Sequence, residues 1–233
     1  MSEETRHLLV IMPHTGECWS CAPTVAKHVQ RGGHATMVAM CGAAWKGDPD
    51  YWTEHMDNCA RAADILGCDF EFMGFHGSGA WEPDWSAIVK VAELLRRLRP
   101  DIVVTMPAEG MYEQPHRDHS NSHQVVYYAR DAAARVLPGI AGEPFFVNDL
   151  YFMGDGSPGD IFIDVSEVED LVRRSHEAMA YKRVLEGSHG ALPPPGGSLK
   201  RSPNYQTRAG PDRQVQAFRS CYCRERTLDA FPE

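Results

Sequence analysis

The sequence predicts an α/β domain: a Rossmann-like, three-layer α/β/α fold around a mostly parallel sheet. Three observations lead there. Short apolar runs recur, as in His7–Met12, Ala35–Met40 and Asp101-Ile102-Val103-Val104-Thr105. Stretches with helical spacing separate them. Gly and Pro punctuate the boundaries, and strands that alternate with helices build parallel sheets.

The elements follow in order. Residues 7–12 read as the first strand, and residues 18–31 as a helix stopped by Gly32-Gly33. Ala35 to Met40 is the second strand. From Asp50 to Leu66 the residues Tyr51, Met56, Ala60, Ala63 and Leu66 fall near one helical face, and Gly67 ends the segment. Asp69 to Phe75 is a Phe-rich third strand. Asp84 caps a helix to Leu98, with Ile88, Val91, Ala92 and Leu95 on one stripe. Pro100 breaks it before a fourth strand, Asp101–Met106. Ser120 to Val136 is the next helix; Leu150–Met153 and Ile161–Val165 are strands. Ser166 and Glu169 form a capping box for a helix reaching about Leu185. The stretch 187–211, with Pro193-Pro194-Pro195-Gly196-Gly197, reads as loop. Ala217-Phe218-Arg219 begins a short closing element. No repeat or composition shift divides the chain, so residues 1–233 are expected to form one domain.

Composition limits function. The net charge of −9 opposes non-specific nucleic-acid binding and docking on anionic membranes. No apolar stretch approaches the roughly 20 residues of a membrane helix, and the polar N-terminus lacks a signal-peptide core. A cytoplasmic protein acting on a small molecule is expected. The seven cysteines read mostly as reduced, buried small hydrophobes. A loop-rich tail and several aromatics are compatible with a homo-oligomer.

Two clusters carry the chemistry. His14-Thr15-Gly16-Glu17 follows the first strand, and His116-Arg117-Asp118-His119 follows the fourth. In open α/β sheets, ligands bind beyond the carboxyl ends of the strands. One histidine near a strand end is ordinarily a polar loop residue; two clusters at two strand ends point to one ion. His14 and Glu17 sit three residues apart at a turn, a spacing that lets both reach one ion. With His119 they form a zinc set that leaves a coordination position open. Zn2+, or another divalent metal, is thus the expected cofactor. His116 and Asp118 are the expected catalytic pair, orienting ligands or moving protons.

Other motifs weigh less. Cys18-x-x-Cys21 has redox spacing without a thioredoxin-like context. Cys221-x-Cys223 reads as structural. His123 lies one turn beyond His119 and reads as a supporting contact. Trp45, Tyr51, Trp52, Trp81 and Trp85 are divided between pocket lining and core, and His76-Gly77-Ser78-Gly79 is a further candidate substrate contact.

On these residues the chain resembles the PIG-L or LmbE-like zinc enzymes, mostly N-acetylglucosaminyl deacetylases. Their first motif is His-Pro-Asp-Asp-Glu; here Pro13-His14-Thr15-Gly16-Glu17-Cys18 stands in its place. Their second, His-x-Asp-His, is intact as His116-Arg117-Asp118-His119. The Gly32-Gly33-His34 turn, the run from Arg99 and the late Ala217-Phe218-Arg219 are also similar, so the resemblance covers most of the chain. It implies a ligand at Glu17 and puts Gly16 where the deacetylases carry their general base. The stretch from His14 to Thr24 is also one residue shorter than the family's, which leaves open that Glu17 matches the trailing Glu.

A glycine performs no acid–base chemistry. The base then comes from Asp118, His116, Asp48, Glu109 or Glu113, or the reaction differs. The bulk of the family implies metal-dependent hydrolysis of an amide-like C–N bond in a small polar substrate. A branch similar to 4-oxalomesaconate hydratase also has a small residue at this place, and implies hydration of an unsaturated keto-carboxylate. A non-catalytic small-molecule-binding descendant is the third reading.

Overall fold

The computed structural model describes residues 5–42, 49–77, 80–108, 116–153, 161–179, 215–221 and 226–228. Its strands are β1 (His7–Met12), β2 (His34–Gly42), β3 (Asp69–His76), β4 (Ile102–Thr105), β5 (Asp149–Met153), β6 (Ile161–Asp164), β7 (Val215–Ser220) and β8 (Arg226–Leu228). Its helices are α1 (Thr15–Ser20), α2 (Ala22–Gln30), α3 (Pro49–Leu66), α4 (Trp85–Leu98), α5 (Arg117–Ala134) and α6 (Glu169–Met179). The sheet order is β3-β2-β1-β4-β5-β7-β6-β8. The five strands from β3 to β5 are parallel; β7 runs antiparallel to β5 and β6.

Side-chain alternation in β1 builds the layers. Leu8, Val10 and Met12 face a core shared with α1, α2, α3 and α6, while Leu9 and Ile11 face one shared with α4 and α5. All five are fully buried, as a strand covered on both faces requires. The chain winds from β1 outward to β2 and β3, then crosses back to β4 on the other side of β1. The carboxyl ends of β1 and β4 therefore flank the switch point of the sheet, where a crevice opens.

The structure corrects three boundaries. The helix expected over residues 18–31 is two helices, α1 and α2, joined at Cys21. Pro23 has no N–H for the carbonyl of Trp19, so one continuous helix would lose that bond; His176 Nε2 supplies it instead at 3.1 Å. Helix α5 starts at Arg117 rather than Ser120, because His116 is its cap: the His116 Nδ1 accepts the Asp118 N–H at 3.2 Å. Ser166, expected to cap α6, lies in a 3-10 turn before it. Asp164 accepts from both the Ser166 N–H (3.0 Å) and hydroxyl (2.7 Å), so residues 166–168 make a 3-10 turn and α6 begins at Glu169. The expected extension of α6 to Leu185 and the 187–211 loop lie outside the described residues.

Long-range polar contacts hold α1 in place. The Trp19 indole N–H donates to Ser175 of α6 at 2.9 Å, and Ser175 donates to the Ala62 carbonyl of α3 at 2.8 Å. From β7, the buried Gln216 accepts the Thr24 hydroxyl at 2.5 Å and donates to the Ser20 carbonyl. Both contacts meet at the α1–α2 break.

On the opposite face, Arg96 of α4 is 5% exposed. Its guanidinium donates to the carbonyls of Ala133, Arg135, Ile140 and Gly142, closing the C-terminal end of α5. A buried cation beside a helix C-terminus is favoured by the dipole. An ammonium has three donors and no fork. Arg96→Lys is therefore expected to lower stability by about 2–3 kcal/mol, since carbonyls would be left unpaired, as urea unfolding would measure. An unchanged midpoint would show that the clamp contributes nothing.

Candidate metal centre

The turn after β1 and the first turn of α5 meet at the switch point. His14 is the residue before α1, and Glu17 lies in that helix's first turn. His116 caps α5, and Asp118 and His119 occupy its first turn. Acidic side chains in a helix's first turn suit its positive end. All five predicted site residues come together.

His14 is the hub. Its Nδ1 lies 3.1 Å from Glu17 Oε2 and its Nε2 lies 2.9 Å from Asp118 Oδ2. On the other side of Glu17, Oε1 is 3.4 Å from His119 Nε2. Burial disfavours charge on His14, yet the bonds to Asp118 and Glu17 outweigh it and raise its pKa to about 9. Burial pushes Glu17 upward as well, but His119 and His14 pull its carboxyl far below the usual range. In this arrangement protons hold the cluster together.

Asp118 is fully buried. A buried carboxylate requires partners. Besides His14, its Oδ1 accepts the Trp81 indole N–H at 3.0 Å. Trp81 is itself fixed: its carbonyl accepts from Asn121 at 2.7 Å, and its ring stacks on Phe75 at 5.1 Å. With Asp118 holding the Nε2–H, the remaining nitrogen of His14 faces Glu17 and His119.

His116 is half-exposed. Its ring stacks on His119 at 4.7 Å and meets His14 edge-on at 5.1 Å. Partial burial lowers its pKa, and the neighbouring His119 and His14 lower it further, so the ring is neutral near pH 7. Because Nδ1 accepts the Asp118 N–H, the neutral ring carries its proton on Nε2. His116 is thus set as a donor.

The donor chemistry fits a divalent ion. His14, Glu17 and His119 each offer a ligand atom, all within 4.8 Å of one another. Two imidazoles and a carboxylate form a three-ligand set of the kind that binds zinc with an open position. No ion is required for the three side chains to converge.

Gly16 contributes no side chain. A Cβ built there meets nothing within 4 Å, and its φ lies outside the left-handed region. The structure therefore has room for a larger residue. Of the other candidate bases, Asp48, Glu109 and Glu113 lie outside the described residues. Asp118 is committed to His14 and Trp81, and His116 presents a proton rather than a lone pair.

Other expectations resolve differently. Cys18 and Cys21 are buried and their thiols are pushed upward by burial, which opposes the thiolate that redox chemistry needs. His123 bonds the Met106 carbonyl at 2.9 Å, a contact at the end of β4. Trp81 packs in the core, whereas Trp85 is 53% exposed. Trp45, Ser78, Gly79, Cys223 and the Tyr51 side chain lie outside the described residues. Two contacts were not foreseen. Cys41, at the end of β2, lies against His14 and Asp118. His55 of α3 bonds the Thr15 hydroxyl at 2.8 Å, and burial lowers its pKa to about 4. A lone Cys and a lone His in separate elements gave no spacing signal.

Comparisons with known proteins bear on the family and the fold. Residues 9–130, just over half of the chain, match the family model described as PIG-L, GlcNAc-PI de-N-acetylase. That range contains both clusters. A 1D-myo-inositol 2-acetamido-2-deoxy-alpha-D-glucopyranoside deacetylase of Thermomonospora curvata is 28% identical over 186 residues. The match covers 65% of this chain and 61% of that relative, so the chain spans under two thirds of the relative's length. Among solved structures, a conserved protein of Thermus thermophilus shares the fold with a TM-score of 0.75 and 24% identity, over 92% of this chain and 94% of that one. The 4-carboxy-2-hydroxymuconate hydratase of Pseudomonas putida gives 0.70 and 19%, over 93% and 96%.

Asp118→Asn keeps the shape of the side chain but removes the charge that holds the His14 proton. The expected outcome is metal affinity lowered by roughly 10–100-fold, as for other residues that orient a ligand histidine, with a folded protein by circular dichroism. Unchanged affinity in a metal titration would contradict the role assigned to Asp118.

Proposed function

The chain belongs to the PIG-L family, and from that premise we propose that it is a zinc-dependent hydrolase of an N-acyl C–N bond in a small polar substrate. The observation that carries this reading is the convergence of His14, Glu17 and His119 at the switch point, inside the family-matched range. Zinc is supported by the two imidazoles and one carboxylate of the donor set. The reading treats residues 1–233 as one domain in the cytoplasm; a single sheet that holds both β1 and β8 supports the one-domain part. Within the described residues, no helix is long and apolar enough to cross a membrane.

The proposed roles follow from the contacts. His14, Glu17 and His119 would hold the ion. A bound divalent ion polarises an acyl oxygen and lowers the pKa of water. Asp118 keeps the Nε2–H of His14 and so aims its other nitrogen at the centre. The backbone N–H of Asp118 fixes the tautomer of His116, whose Nε2–H donates to an oxygen that gains charge during reaction. Gly16 leaves open space where a carboxylate would take a proton.

Acetate release from N-acetylglucosamine conjugates tests the reading. Activity is expected to vanish on chelation and return with added zinc. Activity indifferent to a chelator would rule out the metal-dependent mechanism.

A second reading is favoured by Gly16 itself. One of the fold neighbours is named a 4-carboxy-2-hydroxymuconate hydratase; if this chain hydrates an unsaturated keto-carboxylate, loss of ultraviolet absorbance by such a substrate would reveal it. One substitution separates the two readings. Gly16→Asp has the space it needs, and the helix N-terminus tolerates the charge. If the reaction is amide hydrolysis, this variant is expected to gain roughly 10-fold or more in rate by restoring a general base. A hydratase would not gain.

A further inference from the structure

We propose a second metal position on the opposite side of His14, built from Cys41, Asp118 and the His14 imidazole, which takes a thiophilic divalent ion such as cadmium or excess zinc and blocks the centre. It rests on the reading of His14, Glu17 and His119 as the first ligand set. The two sets share only His14. In the first, the His14 edge next to Glu17 is used; in the second, the edge next to Asp118, where Nε2 lies 2.9 Å from the carboxylate.

The backbone explains why a thiol stands there. Along β2, Met37 and Ala39 face the core of α1, α2, α3 and α6, and Val38 and Met40 face the other. Strict alternation would send Cys41 with Ala39. Instead the register of β2 against β3 shifts between Ala39 and Cys41. Cys41 joins Met40 on the side of α4 and α5, the side from which Asp118 projects. The extra residue is in β3, which runs from Phe72 to Phe75 while β2 runs from Ala39 to Cys41; such a bulge breaks the ladder and sharpens the local twist where Cys41 sits. The Cys41 N–H also donates to the Pro13 carbonyl at 2.7 Å, fastening the thiol's backbone to the turn that carries His14. The ligand atoms of His14, Cys41 and Asp118 lie within 4.8 Å of one another, and Cys41 and Asp118 are buried.

A sulfur–nitrogen–oxygen set selects thiophilic or borderline ions over magnesium or calcium. Binding forms bonds from the ion to Cys41 Sγ, His14 Nε2 and an Asp118 oxygen. Burial, with Asp118 and Glu17 nearby, favours the protonated Cys41 thiol, so the ion must displace the Cys41 S–H proton as well as the His14 Nε2–H proton; both pass to water, and nothing is oxidised or reduced. Asp118 then no longer orients His14, so the occupied protein loses activity.

The test starts from protein holding one equivalent of zinc and titrates it with cadmium. The wild type is expected to take up a second ion, develop thiolate-to-cadmium ultraviolet absorption, and lose acetate-releasing activity in step. Cys41→Ser is expected to retain the first zinc, show no such band, and need at least roughly 10-fold more cadmium for uptake, since losing even a residue that only orients a ligand costs that much. Cys41→Ala, checked by thermal unfolding, should behave the same and excludes misfolding as the cause. Absence of a second equivalent in the wild type, the same band in both variants, or a band without inhibition would overturn the proposal. Glu17→Gln separates the two assignments. If it loses the first zinc while the wild type shows no band, the first set stands and the second position falls. If it keeps the zinc while Cys41→Ser loses it, the resting ion sits on Cys41 and both assignments fail.

Discussion

The buried carboxylate of Asp118 is the constraint around which the site is organised. A charge without water demands partners, and the fold provides them from separate elements: His14 after β1 and Trp81 before α4. Asp118 itself opens α5 after β4. Satisfying that one carboxylate therefore draws together the two sides of the switch point. It also fixes which nitrogen of His14 is left to face Glu17 and His119. The stacked Phe75–Trp81 pair and the Asn121 bond to Trp81 extend the same arrangement into the core.

The packing of α1 serves the same end. Glu17 can face the centre only if the first turn of a short helix is held rigidly. Ser175 and His176 of α6 hold it through Trp19, and Gln216 of β7 holds it through Ser20. Residues separated by some two hundred positions thus determine where one carboxylate points. The late strand β7 joins β5 to β6 within the sheet and also pins the helix that carries a candidate ligand.

Much of this was legible in the sequence because it is local. The apolar runs pointed to the strands, the period of α4 to its buried face, and the position of His14 and His119 just past two strands to the candidate site. What escaped was either non-local or misweighed. Pro23 was visible, but the α1–α2 break depends on the carbonyl of Trp19 finding His176. Ser166 looked like a cap until Asp164 engaged it. The bond from Trp81 to Asp118 and the turning of Cys41 toward them depend on strand register and tertiary packing, which no single-chain spacing encodes. Gly16 was the reverse case: the sequence showed the missing group, and the structure added that its space is open.

The central claim is that His14, Glu17 and His119 form one divalent-metal centre at the β1–β4 switch point. Anomalous X-ray scattering at the zinc edge, from crystals of the protein carrying one equivalent of zinc, addresses it most directly. The account predicts a single peak bounded by those three side chains, with Asp118 bonded to the far nitrogen of His14. A peak away from Glu17, or none at the switch point, would contradict it.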